Sequence, residues 1–210
     1  MKKIVAISDT HGLHNDIIVP ECDILIFAGD FDIMSADDLQ SANIWFGRQK
    51  ATKVIFCAGN HDVYLEKVSK DYIKKIFTNV IYLEDELVEI DGIRIYGSPR
   101  TPYFNGWAFM YQRCSLEAKE IWEKIPENLD FLITHGPSYG IRDKNLNSER
   151  CGCKVLSKEI MKKKPLRHVF GHIHGEYGCC NDMGIDFFNV SVLNEDYNLV
   201  NPVTIIGIEK

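Results

Sequence analysis

The chain has 210 residues, 45% of them hydrophobic and 26% charged, the composition of a soluble globular protein, with no low-complexity tract or clear linker; residues 1–210 read as one domain. A formal net charge of -6 argues against a surface built to hold a long nucleic-acid backbone, so an anionic ligand would need local positive charge from Arg, Lys or a metal. No run reaches the roughly 20 apolar residues of a membrane span, the apolar stretch after the first lysines stops at Ser8-Asp9, and the seven cysteines, an odd number, suggest reduced thiols, so a cytoplasmic protein is expected.

Three segments share one grammar, an apolar run ending in a small polar or acidic cluster: "KKIVAISDTHG", "CDILIFAGDFD" and "TKVIFCAGNHD". Apolar residues at consecutive positions predict strands buried on both faces. Between the second and third, "SADDLQSANIWFGRQ" predicts a helix, with Ser35 and Asp38 at its start and Leu39, Ala42, Trp45 and Phe46 at helical spacing. "YLEKVSKDYIKKIF" predicts another, so the N-terminal half reads as β-α-β with right-handed crossovers. "VIYLEDELVEIDGIRIYGSP" then carries short strands with Asp91-Gly92 at a hairpin tip. "SLEAKEIWEKI" reads as a helix, "LDFLITHG" as a strand, and "CKVLSKEIMKKK" as a helix stopped by Pro165. In "RHVFGHIHG", read as a strand, His172 and His174 stand two apart and would face the same side. "GIDFFNVS" and "PVTIIGIE" close the chain as strands, giving an α/β sandwich of two packed sheets with helices outside.

The polar residues at the C-terminal ends of these strands are Asp9, His11, Asp30, Asn60, His61, Asp62, His135, His172 and His174. Ligands bind at the carboxyl ends of strands in open α/β sheets, so these groups can converge on one rim. Carboxylate, imidazole and amide oxygen suit Mn, Fe, Zn, Ni or Co, and a set in which seven of these nine residues act as ligands is about right for two metal ions sharing a bridging group. Taken singly, Asp9 and Asp30 read equally well as helix caps or turn formers.

In order, "DTH", "GD", "GNHD", "THG" and "GHIH" resemble the calcineurin-like metallophosphoesterases, and the set spans most of the chain. Longer stretches, "ISDTHGLH", "IYGSPRTPYFNGWAF", "ITHGPSYGIRD" and "HVFGHIHGEYG" among them, are similar to the metallophosphoesterase-domain-containing branch, small proteins assigned phosphodiesterase activity. Some members of that branch carry Gly where this chain has His172. The resemblance implies a four-layer α/β/β/α sandwich of two mixed sheets flanked by helices. It also implies that Asp9, His11 and His174 bind one metal, that Asn60, His135 and His172 bind the other, and that Asp30 bridges. His61 would contact the phosphate or protonate the leaving oxygen, with Asp62 holding its orientation, and hydrolysis would proceed by attack of a metal-bound hydroxide on a small phosphodiester such as a cyclic nucleotide. A phosphomonoesterase or protein phosphatase on the same site, and a metal-dependent nucleotide-binding module with little turnover, are the alternatives.

In "SPRTPYFNGWAF", Arg100, Asn105 and Trp107 are candidates for substrate contact, with a packed aromatic loop as the equal alternative; Arg142 in "GIRD" is a second candidate for phosphate. "GPSYG" at Gly136 to Gly140 matches the G-x-S-x-G elbow of serine hydrolases, but no apolar helical period follows it. Cys151, Cys153, Cys179 and Cys180 lack the usual C-x2-C spacing of a structural zinc site. His14 and His168 fall outside the ligand set.

Overall fold

The computed structural model describes residues 1–208. In chain order its elements begin with β1 (Lys2–Ile7), β2 (Cys22–Ala28), α1 (Ala36–Gly47), β3 (Ala51–Cys57), α2 (Val63–Lys67), α3 (Lys70–Ile76), β4 (Ile81–Leu83), β5 (Glu86–Ile90) and β6 (Ile93–Ser98). There follow β7 (Thr101–Pro102), β8 (Met110–Tyr111), α4 (Leu116–Glu123), β9 (Phe131–Thr134), α5 (Lys154–Lys163), β10 (Arg167–Phe170), β11 (Gly178–Asp182), β12 (Ile185–Asn189) and β13 (Thr204–Ile208).

The consecutive apolar residues divide by parity between two cores. Ile4 and Ala6 of β1, with Ile24, Ile26 and Ala28 of β2, pack between the sheets against Ile95, Phe131, Ile133 and Val169. Their neighbours Val5, Ile7, Leu25 and Phe27 point the other way, under Leu39, Ala42, Trp45 and Phe46 of α1 and Ile73 of α3. A third core lies beyond the second sheet, where Trp122 of α4 and Leu156 and Ile160 of α5 cover Leu132, Phe170 and Phe187. Side-chain period 2 on doubly covered strands thus produces the expected four layers, α/β/β/α.

The first sheet has the order β13-β1-β2-β3-β4, parallel from β1 to β4 with β13 antiparallel on β1. The second has the order β11-β12-β10-β9-β6-β5, parallel through its middle and antiparallel at both edges. Strands β1, β2, β3, β9 and β10 send their C-terminal ends toward one rim, where the polar clusters begin. The β5–β6 hairpin turns at Asp91 and Gly92, both at positive φ, as the Asp-Gly signal predicts.

Three expectations are corrected. The helix expected over "YLEKVSKDYIKKIF" is two: Val68 is extended, and Ser69 Oγ accepts the Tyr72 N–H at 3.2 Å, which starts α3 afresh. The strand expected through His174 ends at Phe170; His172 adopts φ 71° and His174 opens a single 3-10 turn. The same-face argument for the two imidazoles therefore does not apply. Strand β11 has no signal in "GCCND", because a half-exposed edge strand needs no apolar alternation. Glu209, at the end of the last expected strand, lies outside the described residues. Among the described residues, no helix is long and apolar enough to cross a membrane.

His168 belongs to the core rather than the rim. Its Nε2 lies 2.7 Å from Thr134 Oγ1, whose own hydrogen goes to Gly136 O at 2.6 Å, so Nε2–H is the donor and Nδ1 is buried without a partner. Burial pushes this imidazole down to about 3 from 6.5. The unfolded chain takes up a proton near 6.5 and the folded chain does not, so stability present above that pH is lost as pH falls toward the folded value, by about 1.4 kcal/mol per pH unit. The stability advantage of the wild type over His168→Gln, measured by urea unfolding, is expected to shrink by about 1 kcal/mol between roughly pH 6 and pH 5; an advantage that stays constant would refute this account.

Candidate functional site

The loops after the strands are short and turn sharply. Asp9, His11, Asp30, Asp32 and His172 all take positive φ, a region Asp and His tolerate better than branched residues. A Cβ at Gly59 would run into the Asp30 carboxylate and backbone, and one at Gly171 into Asp9 and Ser8, so these glycines permit the approach of backbone to buried carboxylate.

Asp62 organises these loops. Its buried carboxylate accepts N–H groups from Asp30, Phe31 and Ile33, each at 3.1 Å, and from Gly59 at 2.8 Å. Burial and then the charge of Asp30 push Asp62 up to about 7, against the pull of those N–H donors. The expectation that Asp62 orients the His61 ring is corrected, because both its oxygens are taken up by backbone. The carboxylate beside His61 is Asp32, whose Oδ1 lies 3.7 Å from His61 Nδ1 and 3.0 Å from His11 Nδ1. No spacing in the sequence marks Asp32, since it depends on a left-handed turn two residues past Asp30.

Three imidazoles share one arrangement. His135 Nδ1 lies 2.9 Å from Ala28 O, His174 Nδ1 lies 3.1 Å from Asn194 O, and His11 Nδ1 faces Asp32. Each Nδ1 can donate to an oxygen, which leaves Nε2 for the cavity. His11 Nε2 is buried with no hydrogen-bond partner. His135 Nε2 meets two oxygens, Asp30 Oδ2 at 3.1 Å and Asn60 Oδ1 at 3.0 Å, an arrangement that calls for a proton or a cation. Burial lowers His135, but the charge and hydrogen bond of Asp30 outweigh it and hold the ring at about 9. Burial, then the charge of His135, pushes His172 down to about 4 and keeps it neutral.

The donor atoms form groups within 4.8 Å: Asp9, His11 and His174; Asp30, His135 and His172; and His11, Asp32 and His61. Asp30 stands between the first two, its Oδ2 3.6 Å from His11 Nε2 and 3.1 Å from His135 Nε2. Oxygen and imidazole donors, an unpartnered Nε2 and a carboxylate shared by two clusters fit two transition-metal ions.

Above these groups opens a cavity of about 240 Å³ lined by Asn60, His61, Phe104, Arg113, Glu195 and Tyr197, among others. Trp107 stacks on His61 with ring centroids 4.0 Å apart, and Tyr197 meets His11 edge-on at 4.9 Å. The other substrate candidates stand elsewhere. Arg100 faces Asp85 at 3.2 Å and Glu84 at 3.6 Å; Arg142 donates to the carbonyls of Glu176, Tyr177 and Cys179; exposed Asn105 forms a turn with Gly106. The sequence carries no signal for Arg113 or Tyr197, which reach the cavity from outside the strand-end motifs. Ser138 of "GPSYG" is buried, its Oγ lacks a hydrogen-bond partner, and a β-bridge joins it to Cys153, so it offers no exposed nucleophile.

A family model described as calcineurin-like phosphoesterase matches residues 2–176. A human protein described as metallophosphoesterase domain-containing protein 1 is 36% identical over 98% of this chain and 71% of its own length, and the Mus musculus protein of that description gives the same figures. A phosphopantetheinyl hydrolase from Mycobacterium tuberculosis superposes with a TM-score of 0.66 at 17% identity, over 93% of this chain and 90% of its own. The Thermus thermophilus protein TT1561 does so at 0.59 and 15%, over 90% and 88% of the two chains. At such identities the two structures speak for the fold alone. The family model spans most of the chain and the mammalian relatives match nearly all of it, so the chain belongs to the calcineurin-like phosphoesterase family, metal-dependent hydrolases of phosphoesters.

Proposed function

We propose that this protein hydrolyses small phosphodiesters, nucleotides among them, at a site holding two transition-metal ions. The observation that carries the reading is Asp30, whose Oδ2 lies within reach of both donor clusters. In this reading Asp9, His11 and His174 hold one ion, Asn60, His135 and His172 hold the other, and Asp30 touches both. The ions, when bound, supply positive charge for the phosphoryl oxygens and acidity for water.

The remaining work falls to the chain's own groups. Burial lowers the pKa of His61 while the charges of Asp30 and of Asp32, 3.7 Å from its Nδ1, work against that; in its charged form the ring can donate from Nε2 to the departing oxygen. The stacked Trp107 ring limits the rotation of that imidazole. Diesters carry organic groups on two oxygens, and the exposed rings of Phe104 and Tyr197, from separate segments, offer each a surface. A small substrate also suits the limited cavity and the chain's acidic balance.

Assays of protein reconstituted with Mn, Fe, Zn, Ni or Co test the reading: bis-p-nitrophenyl phosphate is expected to turn over faster than p-nitrophenyl phosphate, and the reverse order sinks the diester assignment. His61→Ala is expected to lower kcat by roughly 10² to 10⁴ with metal content retained; undiminished turnover removes His61 from proton transfer. Asp30→Asn should weaken both ions together in metal analysis, and loss of one alone contradicts a shared ligand. Asp62→Asn is expected to cost about 1–3 kcal/mol in urea unfolding, because one amide oxygen cannot accept what two carboxylate oxygens do; an unchanged midpoint would discount its role in tying the loops.

A further inference from the structure

A second cavity, about 570 Å³, adjoins the first and shares Phe104, Arg113, Asn145 and Cys151 with it as walls. Three of its four charged lining residues are cations, Arg113, Arg150 and Lys154, against one acid, Glu149. That balance runs opposite to the net charge of -6. The groups are not equivalent. Arg150 donates to buried Asp143 at 2.6 Å, and Glu149 accepts from Asn145 at 3.0 Å. Arg113 donates to two main-chain carbonyls, Gly152 O at 3.2 Å and Cys151 O at 2.9 Å, and meets no carboxylate among the described residues. Lys154 Nζ lies 4.8 Å from the Tyr139 ring centre and likewise has no carboxylate partner among them. The rings of Tyr103, Phe104 and Tyr139 line the same hollow and are all exposed.

We propose that this second cavity is a subsite for a distal phosphate and an attached ring, so that the substrate is a nucleotide-like diester carrying a second phosphate. This rests on the phosphoesterase reading of the first cavity. Arg113 stands on the shared wall, where its guanidinium can reach an anion outside the scissile group. Two cations without counter-charge favour a dianionic phosphate over a carboxylate, and the exposed rings of Tyr103 and Phe104 offer faces on which a base stacks, whereas Tyr139 already lies against Lys154 and Arg150.

Two probes differing only in the distal group test this: thymidine 5′-p-nitrophenylphosphate and the same compound bearing a 3′-phosphate. In wild-type protein the second is expected to have the lower KM. Arg113→Gln should raise its KM about tenfold relative to the first probe. Lys154→Gln should act in the same direction more weakly, and Arg113→Lys should recover part of the loss. Equal changes for both probes would mean a disturbed loop and overturn the proposal, as would no change. Calorimetry on metal-free protein separates the two readings: thymidine 3′,5′-bisphosphate should bind more tightly than thymidine and lose that advantage in Arg113→Gln, even if neither ester is hydrolysed. Equal binding of the two compounds by the wild type would overturn the subsite and leave the phosphoesterase reading intact.

Discussion

Four backbone N–H groups converge on the carboxylate of Asp62, and the site depends on that convergence. Past the ends of β2 and β3 the ladder hydrogen bonds stop, and the loop amides would be buried without partners. Asp62 supplies acceptors to both loops at once and so fixes their spacing. With the loops tied, Asp30 is held at φ 59°, its Oδ1 accepting the His61 N–H at 2.8 Å and its Oδ2 turned toward His11 and His135. A residue with no side-chain contact to the His61 ring thereby places the groups that have one.

Crowding buried carboxylates is costly unless something positive answers them. Against the upward push of burial, His174 holds Asp9 down at about 2. Burial likewise works against Asp30, and His135 outweighs it, so this carboxyl too is held well below the usual range. The imidazoles answer the carboxylates while their Nδ1 atoms stay anchored to Ala28, Asp32 and Asn194. Rigid donors, each with Nε2 turned toward the carboxylates of the site, suit metal ions better than mobile side chains do, because little ordering remains for binding to impose.

The layers were legible in the sequence because β1, β2 and the second half of β3 are apolar at consecutive positions, a pattern that suits a sheet covered on both faces. The rim was legible because its donors sit directly after those runs. The same-face argument for His172 and His174 fails: a left-handed turn after Phe170, not strand periodicity, sets their directions, and their donor atoms fall into separate groups. Contacts made across the fold left no local trace. Asp32 beside His61, Tyr197 over His11 and Arg113 between two cavities each depend on where distant loops land, and Arg100 and Arg142 looked available only because their partners lie far away in sequence or on the main chain.

The pairing of β1 with β13 has a consequence for how the chain acquires this structure. Lys2 lies opposite Ile208 and Ala6 opposite Thr204, so the strand that delivers Asp9 gains its second neighbour only once residues 204–208 are available. Pairing at such sequence separation is slow, because loop-closure entropy is lost before the contact repays it. On a ribosome, β1 would wait with one edge of unpaired N–H and C=O groups open while β2 to β12 emerge, a template for pairing with the wrong chain. The strand that leads into Asp9 is thus sealed later than the strands between it and β13.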